Sequence, residues 1–239
     1  MTIDQASFYN KAKHDYKNFM LQYDYWIFDL DNTIYDYNLG LFRRISERMT
    51  EYIVNFFDIE FTDALNLQKE MYKKYGLTLR GLMIEKKMDP EPFLKYVHDV
   101  DFYDLKKDYE LKNLLKKIKG QKFIYTNASY DHAKNILVSM GILEEFEIIF
   151  DIKDSNYIAK PDYKSYDMMI AKFGLDGNKI KRSIFFEDTA RNLKPANELG
   201  VSTVWIDNDF NLEEAKTFHQ YIDFIGSDLK TILNDMTEN

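Results

Sequence analysis

A chain of 239 residues, of which 45% are hydrophobic and 30% charged, can bury a sizeable core in one large domain, which excludes a disordered chain. The formal net charge of -8 at pH 7 argues against a nucleic acid polymer as partner, since such polymers attract basic surfaces. The absence of Cys excludes disulfides, thiolate metal sites and a Cys nucleophile. With no signal-peptide pattern and no apolar run long enough to span a bilayer, we expect a cytoplasmic protein that makes no membrane contact.

The first predicted elements are a helix and a strand. Between residues 7 and 22, hydrophobic residues recur near helical spacing, so we expect residues 1–22 to form a helical extension that packs on the core. Residues 26–28 are a short continuous apolar run, typical of a strand buried on both faces. Two carboxylates, Asp29 and Asp31, follow where this strand ends.

The next segment, residues 37–104, shows only helical periodicity. Hydrophobic residues recur at helical spacing from 42 to 56, and a second helix is predicted over 62–75. Gly76 and Gly81 bound a predicted interruption, and Asp89-Pro90 is typical of a fresh helix start. We therefore expect an all-helical insertion after the first strand.

Helices and strands alternate after residue 104. Four short apolar runs, each preceded by a helical pattern, are predicted to be strands at residues 122–125, 148–150, 183–186 and 201–206. Repeated helix-then-strand units predict an α/β fold with a doubly wound, Rossmann-like parallel sheet and right-handed crossovers. The sequence thus predicts a core of residues 23–36 and 105–239 with the helical segment inserted into it.

Polar residues follow three of the predicted strands. Beside the first acidic pair, Thr126 and Asn127 follow the second strand, and Glu187-Asp188 follows the strand at 183–186. In open parallel sheets, ligands bind beyond the carboxyl ends of the strands. Acids from two strand ends at one edge predict a site for a hard cation made of carboxylate oxygens.

Each of these features also has a purely structural interpretation. Asp29 and Asp31 lie in a stretch whose residue types also favour turns, and Thr126 or a neighbour is suited to cap the following helix. Lys160 is interpreted as a surface residue before Pro161 at the first helical position. Asn192 either supports the acidic site or solvates a helix start.

Taken together, these residues resemble the four motifs of the haloacid dehalogenase-like hydrolases. Asp29-Leu-Asp-Asn-Thr33, Thr126, Lys160-Pro161 and Glu187-Asp188 occur in the family's order, and residues 37–104 resemble its helical cap. The sequence departs from the commoner paired Asp of the last motif, since Glu187 precedes Asp188. Three further stretches resemble the pyrimidine 5′-nucleotidase-like branch: Tyr75–Leu82, Tyr96–Val100 and Phe186–Leu193.

The resemblance implies a phosphomonoester hydrolase that acts through an aspartyl phosphate. Asp29 is then the nucleophile, because its carboxylate is ionised at neutral pH without a base. Asp31 is implied as general acid and base for the leaving group and for water. The implied cofactor is Mg²⁺, held by the Asp29 carboxylate, the Asp31 backbone carbonyl and Asp188, with Asn192 in support.

The remaining implied residues bind the substrate, a small phosphorylated molecule. Thr126, Asn127 and Lys160 are expected to hold its phosphate group. Thr78 and Arg80, between the two glycines, are expected to contact the rest of the substrate, for which the branch resemblance predicts a pyrimidine nucleoside monophosphate. His98 is interpreted as a hinge residue rather than a catalytic base.

Four alternative functions are weighed against this one. A dehalogenase would also use Asp29, but by resemblance such enzymes lack an acid at the position of Asp31. A phosphatase of sugar phosphates or a phosphomutase would share all four motifs. A non-catalytic Mg²⁺-binding scaffold on the same fold is the alternative from a different class.

Overall fold

The computed structural model describes residues 22–207 and 212–237. The helical extension predicted for residues 1–22 lies outside the described residues, except for its last residue. Within the described ranges, no helix combines the length and the apolar character that a membrane crossing needs.

A six-stranded parallel sheet forms the centre of the molecule, in the order β3-β2-β1-β4-β5-β6. Its strands are β1 Tyr25–Phe28, β2 Gln121–Tyr125, β3 Ile148–Phe150, β4 Ser183–Glu187, β5 Ser202–Ile206 and β6 Phe224–Gly226. Ile27 of β1 is paired with Phe123 on one side and Phe185 on the other. The predicted doubly wound, Rossmann-like parallel sheet is confirmed, with β1 in its middle.

Helices cover both faces of the sheet. Four lie between β1 and β2: α1 Leu41–Phe57, α2 Phe61–Tyr75, α3 Thr78–Lys86 and α4 Pro90–Val97. Those that follow in the described chain are α5 Tyr109–Lys117, α6 Tyr130–Met140, α7 Tyr163–Phe173, α8 Ala190–Glu198, α9 Leu212–Thr217 and α10 Leu229–Thr237. We call α1 to α4 the inserted helices.

Burial of β1 explains why its sequence is a continuous apolar run. Trp26 and Phe28 pack in one hydrophobic cluster, whereas Ile27 packs in a second cluster on the opposite face, and none of the three is accessible to solvent. Successive side chains of a strand point to opposite faces, so a strand covered on both sides needs apolar residues at every position.

The predicted interruption between the two glycines is shorter than the sequence suggests. Gly76 ends α2 in the left-handed conformation, with a φ of 76°, and α3 begins at Thr78. Gly81 lies inside α3, where a Cβ atom would come within 2.7 Å of Met71 and 2.8 Å of Tyr75. Its small size therefore allows α2 and α3 to pack closely, and only Gly76 serves as a helix stop.

Candidate active site

The carboxyl ends of β1 and β4 bring three acidic side chains together. The backbone N–H of Asp29 donates to the carbonyl of Phe186 over 2.9 Å, which continues the pairing of β1 with β4 past the last apolar residue. Asp29, Glu187 and Asp188 each offer a carboxylate oxygen, and these atoms lie within 4.8 Å of one another. All three residues are buried, so the acidic cluster predicted at this edge is present.

Lys160 is the cation of this cluster. Its Nζ donates to Asp29 Oδ1 over 2.5 Å, to Glu187 Oε2 over 2.7 Å and to the carbonyl of Tyr125 over 3.0 Å. The residue is 1% exposed, so its interpretation as a surface lysine is wrong. The prediction of Pro161 at the first helical position is also wrong, because α7 begins at Tyr163 with Asp162 as its N-cap.

Asn127 fixes the backbone that carries Lys160. Its Oδ1 accepts the N–H of Lys160 over 2.9 Å, and its Nδ2 donates to the Lys160 carbonyl over 3.4 Å. The residue that caps the helix after β2 is Ser129. Its side chain accepts the N–H of His132. Thr126 Oγ1 instead accepts the N–H of Ala128 over 3.0 Å, within the loop that reaches the site.

The cluster carries more negative than positive charge. Three carboxylates face one ammonium group, which leaves two formal negative charges in a buried site. Burial and the charge of Glu187 raise the pKa of Asp29 to about 8. Burial, with the neighbouring carboxylates, also raises the pKa of Glu187 and of Asp188 to about 7. Lys160 opposes this effect, and although burial lowers its own pKa, Asp29 and Glu187 raise it above the ordinary value.

These donors fit a divalent hard cation. Its charge equals the excess negative charge, and carboxylate oxygens are the ligands that Mg²⁺ prefers. Both oxygens of Glu187 already accept hydrogen bonds, one from Lys160 and one from the N–H of Thr189. Asp29 also accepts a bond from Lys160, and Asp188 accepts one from the Thr189 hydroxyl, so the assignment of the cation to Asp29 and Asp188 stays a prediction. Asn192 is buried in α8 beside the same cavity.

Asp31 lies next to the cluster in a different environment. Its Oδ1 accepts the hydroxyl of Tyr35 over 2.6 Å and lies 3.2 Å from Nε2 of His132. Although burial raises the pKa of Asp31, His132 and Tyr35 together bring it below its usual value. The sequence interpretation missed both partners, although Tyr35 follows the same strand end and His132 lies in the helix after β2.

A cavity of about 460 Å³ covers the strand ends. All the site residues predicted in the core line it, namely Asp29, Asp31, Thr126, Asn127, Lys160, Asp188 and Asn192. The inserted helices and the turn before them form the opposite wall, which includes the aromatic rings of Tyr37, Phe42 and Tyr72. Two cations, Arg43 and Lys69, lie on the same wall.

Of the two residues predicted to contact the substrate, one lines the cavity and the other does not. Thr78 lines the cavity and is buried, and its hydroxyl donates to the carbonyl of Gln68 over 3.2 Å. Arg80 is not among the lining residues, and its Nη1 instead donates to the carbonyl of Tyr157 over 3.5 Å. Its position argues against contact with a ligand in the cavity. His98, interpreted as a hinge residue, lines the cavity as well.

Known proteins resemble this chain in sequence and in fold. Phosphate metabolism protein 8 of Saccharomyces cerevisiae is 28% identical over 200 residues, which cover 75% of this chain and 60% of that protein. The chain thus spans less than two thirds of the length of this curated relative.

Two solved structures share the fold at low sequence identity. The HAD phosphatase from Thermococcus onnurineus has a TM-score of 0.58 at 16% identity, over 90% of this chain and 99% of that chain. The L-2-haloacid dehalogenase from Xanthobacter autotrophicus has a TM-score of 0.53 at 12% identity, over 89% of this chain and 97% of that chain.

The family follows from the sequence itself. Residues 26–206 match the family model described as haloacid dehalogenase-like hydrolase, and this range contains β1 except for Tyr25, all of β2 to β5 and all the residues of the acidic cluster. The chain therefore belongs to the haloacid dehalogenase-like hydrolases.

Proposed function

We propose that the protein is a Mg²⁺-dependent phosphomonoesterase that acts through an aspartyl phosphate on Asp29, with pyrimidine nucleoside monophosphates as substrates. The proposal rests on one observation. The buried Asp29, Asp188 and Lys160 share a cavity with Asp31, a carboxylate that has no bond to Lys160 and lies outside the cluster. The pKa shifts of these two carboxyls without ligands run opposite to their roles, since the pKa of Asp29 is raised and that of Asp31 is lowered. The proposal therefore requires a bound cation to lower the pKa of Asp29 and the negative charge of a bound phosphate ester to raise that of Asp31.

Asp29 attacks the phosphorus atom through a carboxylate oxygen. The bond between phosphorus and the ester oxygen breaks, and Asp31 gives a proton to that oxygen. Asp31 then takes a proton from a water molecule whose oxygen attacks phosphorus, so that inorganic phosphate leaves and the Asp29 carboxylate is restored. The Thr126 hydroxyl and the Asn127 backbone N–H bind the oxygens of the phosphoryl group throughout, and Lys160 joins them by giving up one of its three present acceptors.

In this proposal the Asp29 carboxylate, the Asp31 backbone carbonyl and Asp188 would hold Mg²⁺, with Asn192 in support. When bound, it neutralises phosphate and carboxylate charge, so that one anion can approach another. The same charge lowers the pKa of Asp29 from its raised value and keeps this nucleophile ionised.

Asp31 favours phosphoryl transfer over dehalogenation. A halide leaves as a stable anion and needs no proton, whereas the alkoxide of a phosphate ester does. A carboxylate held by Tyr35 and His132 inside the cavity would have no task in a dehalogenase. The shared fold with an L-2-haloacid dehalogenase does not decide between the two reactions.

A nucleobase on the substrate is supported by the wall opposite the strand ends, whereas the preference for a pyrimidine rests on the branch resemblance. In this proposal residues 37–104 act as a cap, while residues 23–36 and 105–239 form the hydrolase core. Phe42 and Tyr72 are 37% and 40% exposed and line the cavity, so they offer ring faces on which a base can stack. The cavity volume lies in the usual range for small-molecule sites. Thr78 remains a candidate for a polar contact to the base or the ribose.

A panel of phosphate esters tests the proposed function. We expect UMP and CMP to have a kcat/KM at least about tenfold above that of AMP, GMP and glucose 6-phosphate, because only the right base satisfies the polar groups of the wall. Phosphate release is the measurement. Phe42→Ala should reduce the advantage of the nucleotides over glucose 6-phosphate, because it removes a ring on which the base stacks. Arg80→Ala, outside the lining, is the control that should retain this advantage. Equal efficiency across the panel would refute the pyrimidine preference, and an absence of phosphate release from every ester would refute the phosphatase.

The stability of the metal-free protein should depend on pH through the acidic cluster. The folded-state pKa values of Asp29, Glu187 and Asp188 lie above ordinary carboxyl values, so the folded protein binds more protons than the unfolded chain. Its stability then falls as pH rises through about 7 to 8. His98, whose pKa is lowered by burial, affects stability only at lower pH.

Calorimetry with a chelator at pH 7 and pH 8.5 measures this effect. We expect a lower Tm at pH 8.5 and a larger rise in Tm on addition of Mg²⁺ at pH 8.5 than at pH 7, because the cation replaces the lost protons. Asp188→Asn should diminish both effects. A Tm that neither falls with pH nor responds to Mg²⁺ would contradict the proposed metal site.

A further inference from the structure

The two oxygens of Asp31 have unequal surroundings. Oδ1 accepts the Tyr35 hydroxyl over 2.6 Å and lies 3.2 Å from His132 Nε2. Among the described residues, no hydrogen bond reaches Oδ2. Since the Asp31 side chain is 16% exposed and lines the cavity, the oxygen without a protein donor is the one available to the substrate.

The ring of His132 is held so that Nε2 points to Asp31. Its side chain has no exposed surface, and its ring stacks on that of His98 at 4.2 Å between centroids and 17° between planes. His98 is itself fixed, because its Nδ1 lies 2.9 Å from the hydroxyl of Ser129. Nδ1 of His132 has no hydrogen-bond partner in the described chain, so no acceptor draws the ring proton away from Nε2.

Two donors on one carboxyl oxygen leave the other oxygen to carry the acidic proton. A protonated Oδ1 would have to share its position with the hydroxyl and the imidazole N–H, which both need an acceptor lone pair. We propose that Tyr35 and His132 are positioning residues that fix the orientation of the Asp31 carboxyl group, with Oδ2 on the cavity side where the substrate's leaving oxygen would lie. This inference rests on the proposed phosphatase function.

The orientation of the Asp31 carboxyl group matters because Asp31 gives a proton in the first step of the reaction and takes one in the second. In the first step the Oδ2–H bond breaks and its proton goes to the leaving oxygen, while the bond between phosphorus and that oxygen breaks and Asp29 bonds to phosphorus. In the second step Oδ2 regains a proton from the attacking water. A carboxyl that rotates freely would present Oδ2 to the leaving oxygen only part of the time. Loss of the two donors therefore weakens general acid catalysis through orientation, although it also removes two interactions that lower the pKa of Asp31.

Aryl phosphates of graded leaving-group acidity provide the test. Phenyl phosphate releases a phenol with a pKa of about 10, as for Tyr, and needs protonation, whereas 4-nitrophenyl phosphate releases a much more acidic phenol. First-turnover rates of phenol release with Mg²⁺ isolate the first step. For His132→Asn, which cannot reach Oδ1, we expect a loss of about 10- to 100-fold with phenyl phosphate and less than about threefold with 4-nitrophenyl phosphate. His132→Gln, which can place an amide N–H near the Nε2 position, should retain most of the phenyl phosphate rate.

A second variant is needed because His132 is fully buried, so that its substitution can impair folding. Tyr35→Phe removes one donor but retains the ring, and it should also make the rate depend more steeply on leaving-group acidity. A uniform loss across the series, or an unchanged dependence in both variants, would overturn the positioning role. Failure of the proposed function looks different, because the wild-type protein would then release no phenol from any ester.

Discussion

Replacement of Asp29 by Asn is expected to lower kcat for every phosphate ester by at least about 10⁴-fold, the scale on which loss of a nucleophile acts in other enzymes with covalent intermediates. The amide has nearly the same shape as the carboxylate but cannot form the aspartyl phosphate. Asn also carries no negative charge, and burial raises the pKa of Asp29. The fold should therefore survive the change. Phosphate release and the thermal unfolding curve are the two measurements.

Asp151→Asn is the matched control for this variant. Asp151 is a buried aspartate that follows β3 at the same edge of the sheet, but it does not line the cavity. Its two oxygens accept the N–H groups of Tyr130 over 2.8 Å and of Asp154 over 3.0 Å, and the amide oxygen of Asn can keep one of these two bonds. We expect this variant to retain activity within about threefold. Retention of full activity by Asp29→Asn would contradict the nucleophile assignment.

The second large effect is expected from Lys160→Met, on stability as well as on activity. Lys160 is the cation that faces Asp29 and Glu187 in a buried site, with distances of 2.5 and 2.7 Å. Removal of one partner of a buried ion pair costs about 3–5 kcal/mol, because it leaves charge without compensation. We expect a loss of this size in the free energy of unfolding at pH 8 with a chelator present.

The loss should be smaller at pH 6. The raised pKa values of Asp29 and Glu187 rise further without the ammonium group, so these carboxyls take up protons and become neutral. Urea unfolding at both pH values measures the difference. Lys172→Met is the control, since Lys172 is 38% exposed and pairs with Asp154, and it should change the stability by about 1 kcal/mol or less. Equal stability of Lys160→Met and the wild-type protein at pH 8 would contradict this interpretation of the cluster.

The sequence was sufficient for five of the six strands of the described sheet, because their signals are local. The strand at residues 148–150 has the predicted bounds, and β2, β4 and β5 differ from prediction by one residue at one end. A strand buried on both faces must be apolar at every position, which separates it clearly from the amphipathic helices. β6 was missed, because Phe224–Gly226 is only three residues long and ends in Gly.

Reasoning from the strands predicted the site only where its residues directly follow a strand end, whereas Lys160 was predicted through the family resemblance. The acidic cluster arises because parallel strands end at one edge, so its members could be found from the strands alone. The position of Lys160 depends on the hydrogen bonds between its backbone and Asn127, and the position of His132 depends on α6. Lys160 and His132 each lie more than 25 residues from Asp29 and Asp31 along the chain. Hydrophobic periodicity does not encode such long-range contacts. The burial of Lys160 and the hydrogen-bond partners of Asp31 are therefore known only from the structure.

Chemical trapping of the phosphoenzyme tests the central proposal most directly. The protein is mixed with Mg²⁺ and 4-nitrophenyl phosphate, quenched in the steady state and reduced with borohydride, which converts an aspartyl phosphate to homoserine. Peptide mass spectrometry then locates the product. We predict homoserine at position 29 and at no other aspartate, in the wild-type protein and not in Asp29→Asn. Phosphate release without any conversion at Asp29, or with conversion at a different aspartate, would contradict the proposed mechanism.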